Sequence, residues 1–305
     1  MMKLSALPVF VISGENEGER ISFTKWLVAR LTENRLESLV VDGGQIKSET
    51  ELYSFVLRSD VVLVAGETDF KLQKIGIGGK REKEELNCCG DDEQSRNLFF
   101  EKFLAYLDML VCRIPLWGCI LIGGKSSRMG RPKHLLRGRD GNTWLERTVK
   151  TLRPYVTDIV ISGAGEVPPD LKMIKRLADI PGTVGPLAGI LSAARWRPYA
   201  GWFLVACDMP DISAEALSWL AGQRRAGYWG IVPKLSGDGF LEPLLACYDM
   251  RAVTVFEELL AQKIMKISKV GVHPKVHNPL IPAALAGSWR NINTPEQLGG
   301  YTDAN

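Results

Sequence analysis

A glycine-rich, basic segment at residues 123–133 carries the side chains best suited to chemistry in this chain. It follows a short apolar run and reads Gly-Gly-Lys-Ser-Ser-Arg-Met-Gly-Arg-Pro-Lys. Adjacent glycines let a backbone approach a ligand closely and turn its N–H groups toward a phosphate. Arg128 can bind phosphate oxygens as a fork, and Lys133 adds a compact positive charge. The segment therefore predicts a phosphate-binding loop, and a solvated basic loop is the alternative.

Two common nucleotide-binding motifs are excluded for this segment, because it contains neither the G-x-x-x-x-G-K-[ST] of a P-loop nor the G-x-G-x-x-G of a dinucleotide-binding turn. It resembles the signature loop of the MobA-like nucleotidyltransferases, [AG]-G-x-S-x-R-M-G-x-x-K. The matching residues are Gly123, Gly124, Ser126, Arg128, Met129, Gly130 and Lys133. The resemblance implies catalytic roles for Arg128 and Lys133. It also implies nucleotide binding by the first residues of the loop, Gly123, Gly124, Lys125 and Ser126.

Three more motifs of this family follow in the same order. Residues 179–189 resemble its D-x(5)-G-P-L-A-G segment, residues 207–210 its C-D-x-P, and residues 291–296 its N-x-N-T-P-E. Together with the loop they cover about residues 117–300. The combination of G-P-L-A-G with N-x-N-T-P favours the molybdenum cofactor guanylyltransferase branch over the cytidylyltransferase branch.

Asp208 is the best candidate for a metal ligand. It follows an apolar run that predicts a buried strand, and ligands of open α/β sheets bind at the carboxyl ends of the strands. Magnesium prefers one or two carboxylates together with phosphate oxygens and water. We therefore expect Asp208 to be a catalytic residue that binds Mg²⁺. A turn aspartate before Pro210 is the alternative.

The resemblance also assigns roles that the residues alone leave open. It implies that Asp179 reads the purine or its ribose, whereas an isolated aspartate suits a surface turn equally. Gly185 and Pro186 open a predicted helix. Their backbone either faces the nucleotide or has only a packing role. Asn291 and Asn293 are implied to hold the phosphorylated acceptor, and turn formation is the alternative for both.

Two positions depart from the family or stand outside its motifs. Glu242 lies in Phe-Leu-Glu-Pro-Leu, where relatives often have His-Pro or Gln-Pro, so it changes the charge of a predicted acceptor-side position. His134 follows Lys133 and is predicted to be a bystander.

Residues 1–112 predict a separate, smaller α/β domain that resembles a degenerate MobB-like protein with a worn P-loop fold. The resemblance depends on a first strand ending at Ser13-Gly14 and on residues 60–66 with Phe70-Lys71 beyond. The phosphate loop lacks G-K-[ST], and Glu15, Glu17 and Glu19 place negative charge where a phosphate would bind. This domain is therefore predicted not to hydrolyse GTP. Docking or dimerisation is the expected role, and an unrelated flavodoxin-like module is the alternative.

The elements that must position these residues follow from the periodicity. Short β-branched runs alternate with longer helical patterns, which predicts α/β architecture with parallel strands. Residues 116–305 predict a nucleotidyltransferase domain, a Rossmann-like sheet with flanking helices. Its first strand is placed at 119–122, a helix at Trp144–Leu152 and a last short strand at 289–292. Residues 80–95 are polar and predict a loop.

Composition narrows the function further. A chain of 305 residues with 38 basic and 35 acidic side chains is too evenly charged for a general nucleic-acid binder. It has no apolar run long enough to cross a membrane, and no export signal is evident, so a cytoplasmic location is expected. The six cysteines show no zinc spacing, which predicts reduced, mostly structural thiols.

The family resemblance implies Mg-dependent transfer of GMP from GTP to the terminal phosphate of molybdopterin cofactor, with release of pyrophosphate. A molybdenum or tungsten enzyme would receive the product. Three alternatives remain at this point. They are cytidylyl or other nucleotidyl transfer to a different phosphorylated acceptor, a non-catalytic molybdenum cofactor carrier, and a GTP sensor centred on the first domain.

Overall fold

The computed structural model describes residues 3–78, 86–123, 132–235, 237 and 239–298. The chain divides into two compact units. The first consists of residues 1–114 with the short segment Arg224–Gly227, and the second consists of the remainder. Within the described ranges no helix is long and apolar enough to cross a membrane.

The N-terminal unit is built on one parallel sheet, which has five strands in the described part of the chain, in the order β2-β3-β1-β4-β5. The strands are β1 (Val9–Ser13), β2 (Ser38–Asp42), β3 (Val61–Ala65), β4 (Gln73–Ile77) and β5 (Leu86–Cys88). The helices are α1 (Glu17–Glu33), α2 (Glu49–Val56) and α3 (Glu93–Arg113). Phe10 of β1 packs edge-on against Phe103 of α3, with ring centroids 5.0 Å apart. This apolar contact fixes α3 against the centre of the sheet.

The C-terminal unit contains a larger mixed sheet, with seven strands among the residues described, in the order β12-β10-β11-β9-β6-β7-β8. The strands are β6 (Leu116–Leu121), β7 (Ile159–Ser162), β8 (Lys175–Leu177), β9 (Gly201–Ala206), β10 (Gly230–Ile231), β11 (Leu245–Tyr248) and β12 (Val276–His277). Strand β11 is antiparallel to β9 and β10, and the other neighbours pair in parallel. The helices are α4 (Trp144–Leu152), α5 (Pro186–Trp196), α6 (Ala214–Ala221) and α7 (Ala252–Ala261).

Burial explains the placement of the central strands. Every residue of β9 is buried, and β6 is buried over its first five residues. One apolar core packs α5 and α7 against the sheet, and a second packs α4 and α6. Because β6 and β9 are parallel neighbours, in register from Leu116 and Gly201 to Leu121 and Ala206, the residues that follow them emerge together at one edge.

Three sequence-based predictions are wrong in detail. Residues 80–95 are not one loop, because β5 lies within them and α3 already begins at Glu93. The strand expected at 119–122 begins at Leu116 and ends at Leu121. The strand expected at 289–292 does not form. Trp289 ends a 3₁₀ helix, Ala283–Trp289, where its indole N–H donates to the carbonyl of Leu245 at 3.0 Å.

Candidate active site

A cavity of about 820 Å³ opens at the carboxyl ends of the parallel strands of the C-terminal unit. Its lining comes from the residues that follow four of these strands, namely Ile122 and Gly123 after β6, Ala164 and Gly165 after β7, Asp179 after β8, and Cys207 and Asp208 after β9. The wall also includes Lys133, His134, Gly185, Pro186, Asn291 and Asn293. This is the edge at which open α/β sheets bind ligands.

The ammonium group of Lys133 joins three sequence motifs at this edge. Its Nζ lies 3.1 Å from Oδ2 of Asp208 and 2.7 Å from Oδ1 of Asn293. Both contacts are hydrogen bonds, and the side chains of Lys133 and Asp208 are only 15% and 24% exposed. An ammonium group has three donors, and the described residues accept from two of them.

Backbone contacts hold Asp208 in this position. The N–H of Cys207 donates to the carbonyl of Leu121 at 3.2 Å, which continues the pairing of the neighbouring strands. The carbonyl of Asp208 accepts from the N–H of Ile292 at 2.9 Å, which ties the segment around Asn291 and Asn293 to the end of β9. Asp208 therefore occupies a fixed place between two backbone segments.

Glu242 adds a second carboxyl group near Asp208. Burial, reinforced by the charge of Asp208, raises the pKa of Glu242 to about 7. Its backbone N–H donates to the carbonyl of Pro233 at 2.8 Å, and Leu244, two residues further on, lines the cavity. Glu242, at which the sequence departs from the family pattern, thus lies near the cluster of Lys133 and Asp208.

The start of α5 faces the same cavity. Gly185 precedes this helix with a φ of 72°, a conformation that favours glycine, and Pro186 occupies the first turn. The unpaired N–H groups and the dipole of a helix N-terminus attract negative charge. Asp179, also predicted to contact the nucleotide, is exposed on the cavity wall after β8.

The two asparagines are placed differently. Asn291 lines the cavity, whereas the side-chain oxygen of Asn293 is engaged by Lys133. The N–H of Asn293 donates to Oε1 of Gln297 at 2.6 Å, in a turn that also uses the N–H of Thr294. Asn293 is therefore both part of a turn and part of the polar cluster.

Four predicted site residues, Gly124, Lys125, Ser126 and Arg128, lie outside the described residues. Within the described ranges no group of three or more His, Cys, Asp or Glu side chains is arranged to hold a metal ion. A magnesium ion does not require such a cage, because it is commonly held by one or two carboxylates and by the phosphates of a nucleotide.

His134 and the residues after β7 were not predicted as part of the site. His134 is only 3% exposed and lines the cavity. Burial lowers the pKa of its imidazole, and its Nε2 lies 2.8 Å from the carbonyl of Glu166. The prediction of a bystander rested on the absence of metal spacing, and a single histidine gives no other signal in a sequence.

The corresponding edge of the N-terminal unit has different chemistry. Asn16 caps α1, and its Oδ1 accepts from the N–H groups of Gly18 at 2.8 Å and Glu19 at 3.3 Å. These are donors that a phosphate would otherwise use at a helix N-terminus. Glu17 and Glu19 occupy the first turn and are exposed.

Comparison with known proteins agrees with this geometry. Residues 118–274 match the model of the MobA-like NTP transferase domain. A probable molybdenum cofactor guanylyltransferase of Bacillus cereus is 30% identical over 189 residues, which are 59% of this chain and 92% of that protein. A molybdenum cofactor biosynthesis bifunctional protein of Synechocystis is 29% identical over 191 residues, 62% of this chain but only 54% of that longer protein.

A solved structure shows the same fold. Molybdopterin-guanine dinucleotide biosynthesis protein A from Archaeoglobus fulgidus superposes with a TM-score of 0.50 at 26% identity, over 60% of this chain and 94% of that one. The α/β sheet, with its cavity at the carboxyl edge, is that of a nucleotidyltransferase enzyme. The chain belongs to the MobA-like NTP transferase family, and the family predicted from the motifs is confirmed.

Proposed function

We propose that the protein transfers GMP from GTP to the terminal phosphate of molybdopterin cofactor and releases pyrophosphate. The observation that carries this proposal is the contact of Lys133 with both Asp208 and Asn293 inside the cavity. It brings a cation, a carboxylate and an amide from three separate motifs to one point. The names of the relatives support molybdopterin as the acceptor.

The residues present fit a bound magnesium ion. Oδ2 of Asp208 is shared with Lys133, while no described residue donates a hydrogen bond to Oδ1. Asp208 lines a cavity large enough for a nucleotide, whose phosphates would complete the coordination. Bound there, the ion would neutralise charge on the phosphates and orient them.

The chain's own residues supply binding and electrostatic stabilisation. Lys133 is proposed to stabilise the charge that develops on the leaving pyrophosphate, and Arg128 is proposed to assist it. The N-terminus of α5, at Gly185 and Pro186, adds a fixed positive potential. A terminal phosphate is already ionised near neutral pH, so the reaction needs no general base and depends on positioning.

Base and acceptor are assigned to opposite parts of the cavity. Asp179 is proposed to accept hydrogen bonds from the N1–H and the exocyclic amino group of guanine. Asn291 is proposed to contact the acceptor, since its neighbour Ile292 is fixed to Asp208. The product would then pass to a molybdenum or tungsten enzyme.

The test is pyrophosphate release from each of the four NTPs, with Mg²⁺ and molybdopterin cofactor, by the wild type and Asp208→Asn. The proposal predicts release with GTP alone and its loss in the variant. Release with CTP instead would show that the protein transfers a cytidylyl group. Tight cofactor binding without release from any NTP would identify a carrier.

A further inference from the structure

The loop that follows β7 has its carbonyl groups fixed by two side chains. Arg176 donates from Nη2 to the carbonyl of Gly163 at 2.6 Å and from Nη1 to that of Gly165 at 3.2 Å. The ring of His134 bonds the carbonyl of Glu166 at 2.8 Å. Three carbonyls within four residues are thus held by charged or buried groups outside the loop.

The contact of His134 defines its tautomer. A carbonyl oxygen only accepts, so Nε2 of His134 carries the proton and donates to Glu166. The ring also packs closely on the loop, because a Cβ placed on Gly165 would lie 3.3 Å from Cε1 of His134. A glycine with a φ of 127° at this position therefore suits both the conformation and the close approach.

Fixing the carbonyls leaves two backbone donors at the cavity. The N–H of Gly163 donates to the carbonyl of Leu177 at 3.3 Å. Ala164 and Gly165 both line the cavity, and the described residues provide no backbone acceptor for their N–H groups.

A second observation at the base of this loop is independent of it. The hydroxyl of Ser162 belongs to a side chain only 1% exposed, and it finds no partner in the described part of the chain. Ser162 lines the same cavity. Buried hydroxyls are normally hydrogen-bonded, so among the described residues this wall has polar groups without a partner at Ser162, Ala164 and Gly165.

We propose that the N–H groups of Ala164 and Gly165 bind the ring carbonyl oxygen of a 6-oxopurine, and that His134 and Arg176 are the positioning residues of this subsite. The inference rests on the proposed function and names the part of the wall that reads the base. Neither positioning residue is a catalytic residue, since both act through the loop.

The surroundings favour a ring carbonyl over a phosphate. The donors are uncharged N–H groups, and the guanidinium of Arg176 is engaged by the loop carbonyls. Ser162 and Leu177 pair in register on β7 and β8, so Asp179 emerges at the neighbouring strand end. A carboxylate there repels a phosphate but accepts from the N1–H beside the carbonyl of guanine and from its exocyclic amino group.

The experiment compares the binding of GTP and 6-thio-GTP to the full chain. The sulfur analogue keeps every ring N–H but replaces the carbonyl oxygen by a weaker acceptor. We expect the wild type to bind 6-thio-GTP about tenfold more weakly, the value of one net hydrogen bond. His134→Leu should bind GTP about tenfold more weakly and should lose the discrimination between the two nucleotides.

A conservative variant separates positioning from packing. The amide Nε2 of glutamine can occupy the place of the imidazole Nε2, so His134→Gln should recover both the affinity for GTP and the discrimination against 6-thio-GTP. His134→Asn, whose amide is one bond too short to reach Glu166, is the matched control and should resemble His134→Leu. Thermal melts establish that each variant is folded.

Two results would overturn the inference. One is equal binding of GTP and 6-thio-GTP by the wild type, which requires no variant. The other is an equal loss of affinity for both nucleotides in His134→Leu, which would limit the histidine to packing. Either can occur while the wild type still prefers GTP to CTP and releases pyrophosphate, so the failure of this subsite is distinguishable from failure of the proposed function.

Discussion

In each of the two sheets an interior strand, β1 in the N-terminal unit and β6 in the C-terminal unit, leads into a glycine-containing segment at the carboxyl edge. At the end of β1 the α1 donors are taken by Asn16, and the neighbouring side chains are glutamates. At the end of β6 the cavity contains Lys133, and Asp208 still has an oxygen without a donor among the described residues. Similar strand topology therefore does not make a phosphate site, which depends on charge and on donors that the protein leaves unused.

The largest expected effect is at Asp208. Asp208→Ala should lower the rate of pyrophosphate release about 10³-fold, because several kcal/mol of charge stabilisation are lost at about 1.4 kcal/mol for each factor of ten. The fold should be retained, as judged by circular dichroism. Asp211→Ala is the matched control, since Asp211 pairs with Arg290 at 2.6 Å, and an equal loss of rate in that variant would contradict a specific role for Asp208.

Lys133 should follow with a smaller effect. Lys133→Met keeps most of the side-chain volume but removes the charge, and we expect a fall in kcat of about 10²-fold, typical of the loss of one transition-state donor. Lys133→Arg should recover only part of it, because a planar guanidinium does not reproduce the geometry of an ammonium between two oxygens. Steady-state kinetics with GTP measure both, with the exposed Lys172→Met as the control. An unchanged kcat in Lys133→Met would refute the assigned role.

The raised pKa of Glu242, beside the C-terminal cavity, predicts that the stability of the folded chain depends on pH. Its pKa is raised to about 7 in the folded chain, against about 4.3 in an unfolded one. Between these values the folded state binds more protons, so the free energy of unfolding falls as pH rises. Glu242→Gln removes this contribution, and its melting temperature relative to the wild type should be higher at pH 8 than at pH 5.

The measurement is a pair of thermal melts without nucleotide or Mg²⁺. The exposed Glu258→Gln should show no such difference between the two pH values. If the melting temperature of Glu242→Gln relative to the wild type stays constant or decreases from pH 5 to pH 8, ionisation of Glu242 does not destabilise the folded state.

The smallest expected effect is in the N-terminal unit. Titration calorimetry should find one GTP bound per chain, and Glu17→Gln with Glu19→Gln should leave its affinity unchanged, because those carboxylates lie beside donors already taken by Asn16. Lys133→Met should weaken the binding of this one GTP. Binding of a second GTP per chain would contradict the conclusion that the carboxyl edge of the N-terminal sheet does not bind a nucleotide.

Local signals account for the parts of the fold that were predicted well. The helix at Trp144–Leu152 was placed to the residue, and it begins with a capping box in which Thr143 and Glu146 bond each other's backbone N–H. Strand β8 was missed, because Lys175–Leu177 is a short, partly polar edge strand without alternation.

The candidate site shows the same limit. Motif spacing brought Lys133, Asp208 and Asn293 into one prediction, but their contacts join residues 75 and 160 positions apart, which only the sheet order decides. His134 and Arg176 act on backbone carbonyls. Such contacts depend on loop geometry and leave no residue pattern to find.

Isotope labels in GTP distinguish nucleotidyl transfer at the C-terminal cavity from simple hydrolysis of the nucleotide. GTP labelled at the α-phosphate and, separately, at the γ-phosphate is incubated with the full chain, Mg²⁺ and molybdopterin cofactor. If the cavity transfers GMP, the α-label appears on the cofactor and the γ-label in pyrophosphate. Release of the γ-label as inorganic phosphate, with the α-label left in GDP, would show hydrolysis at the terminal phosphate and would contradict it.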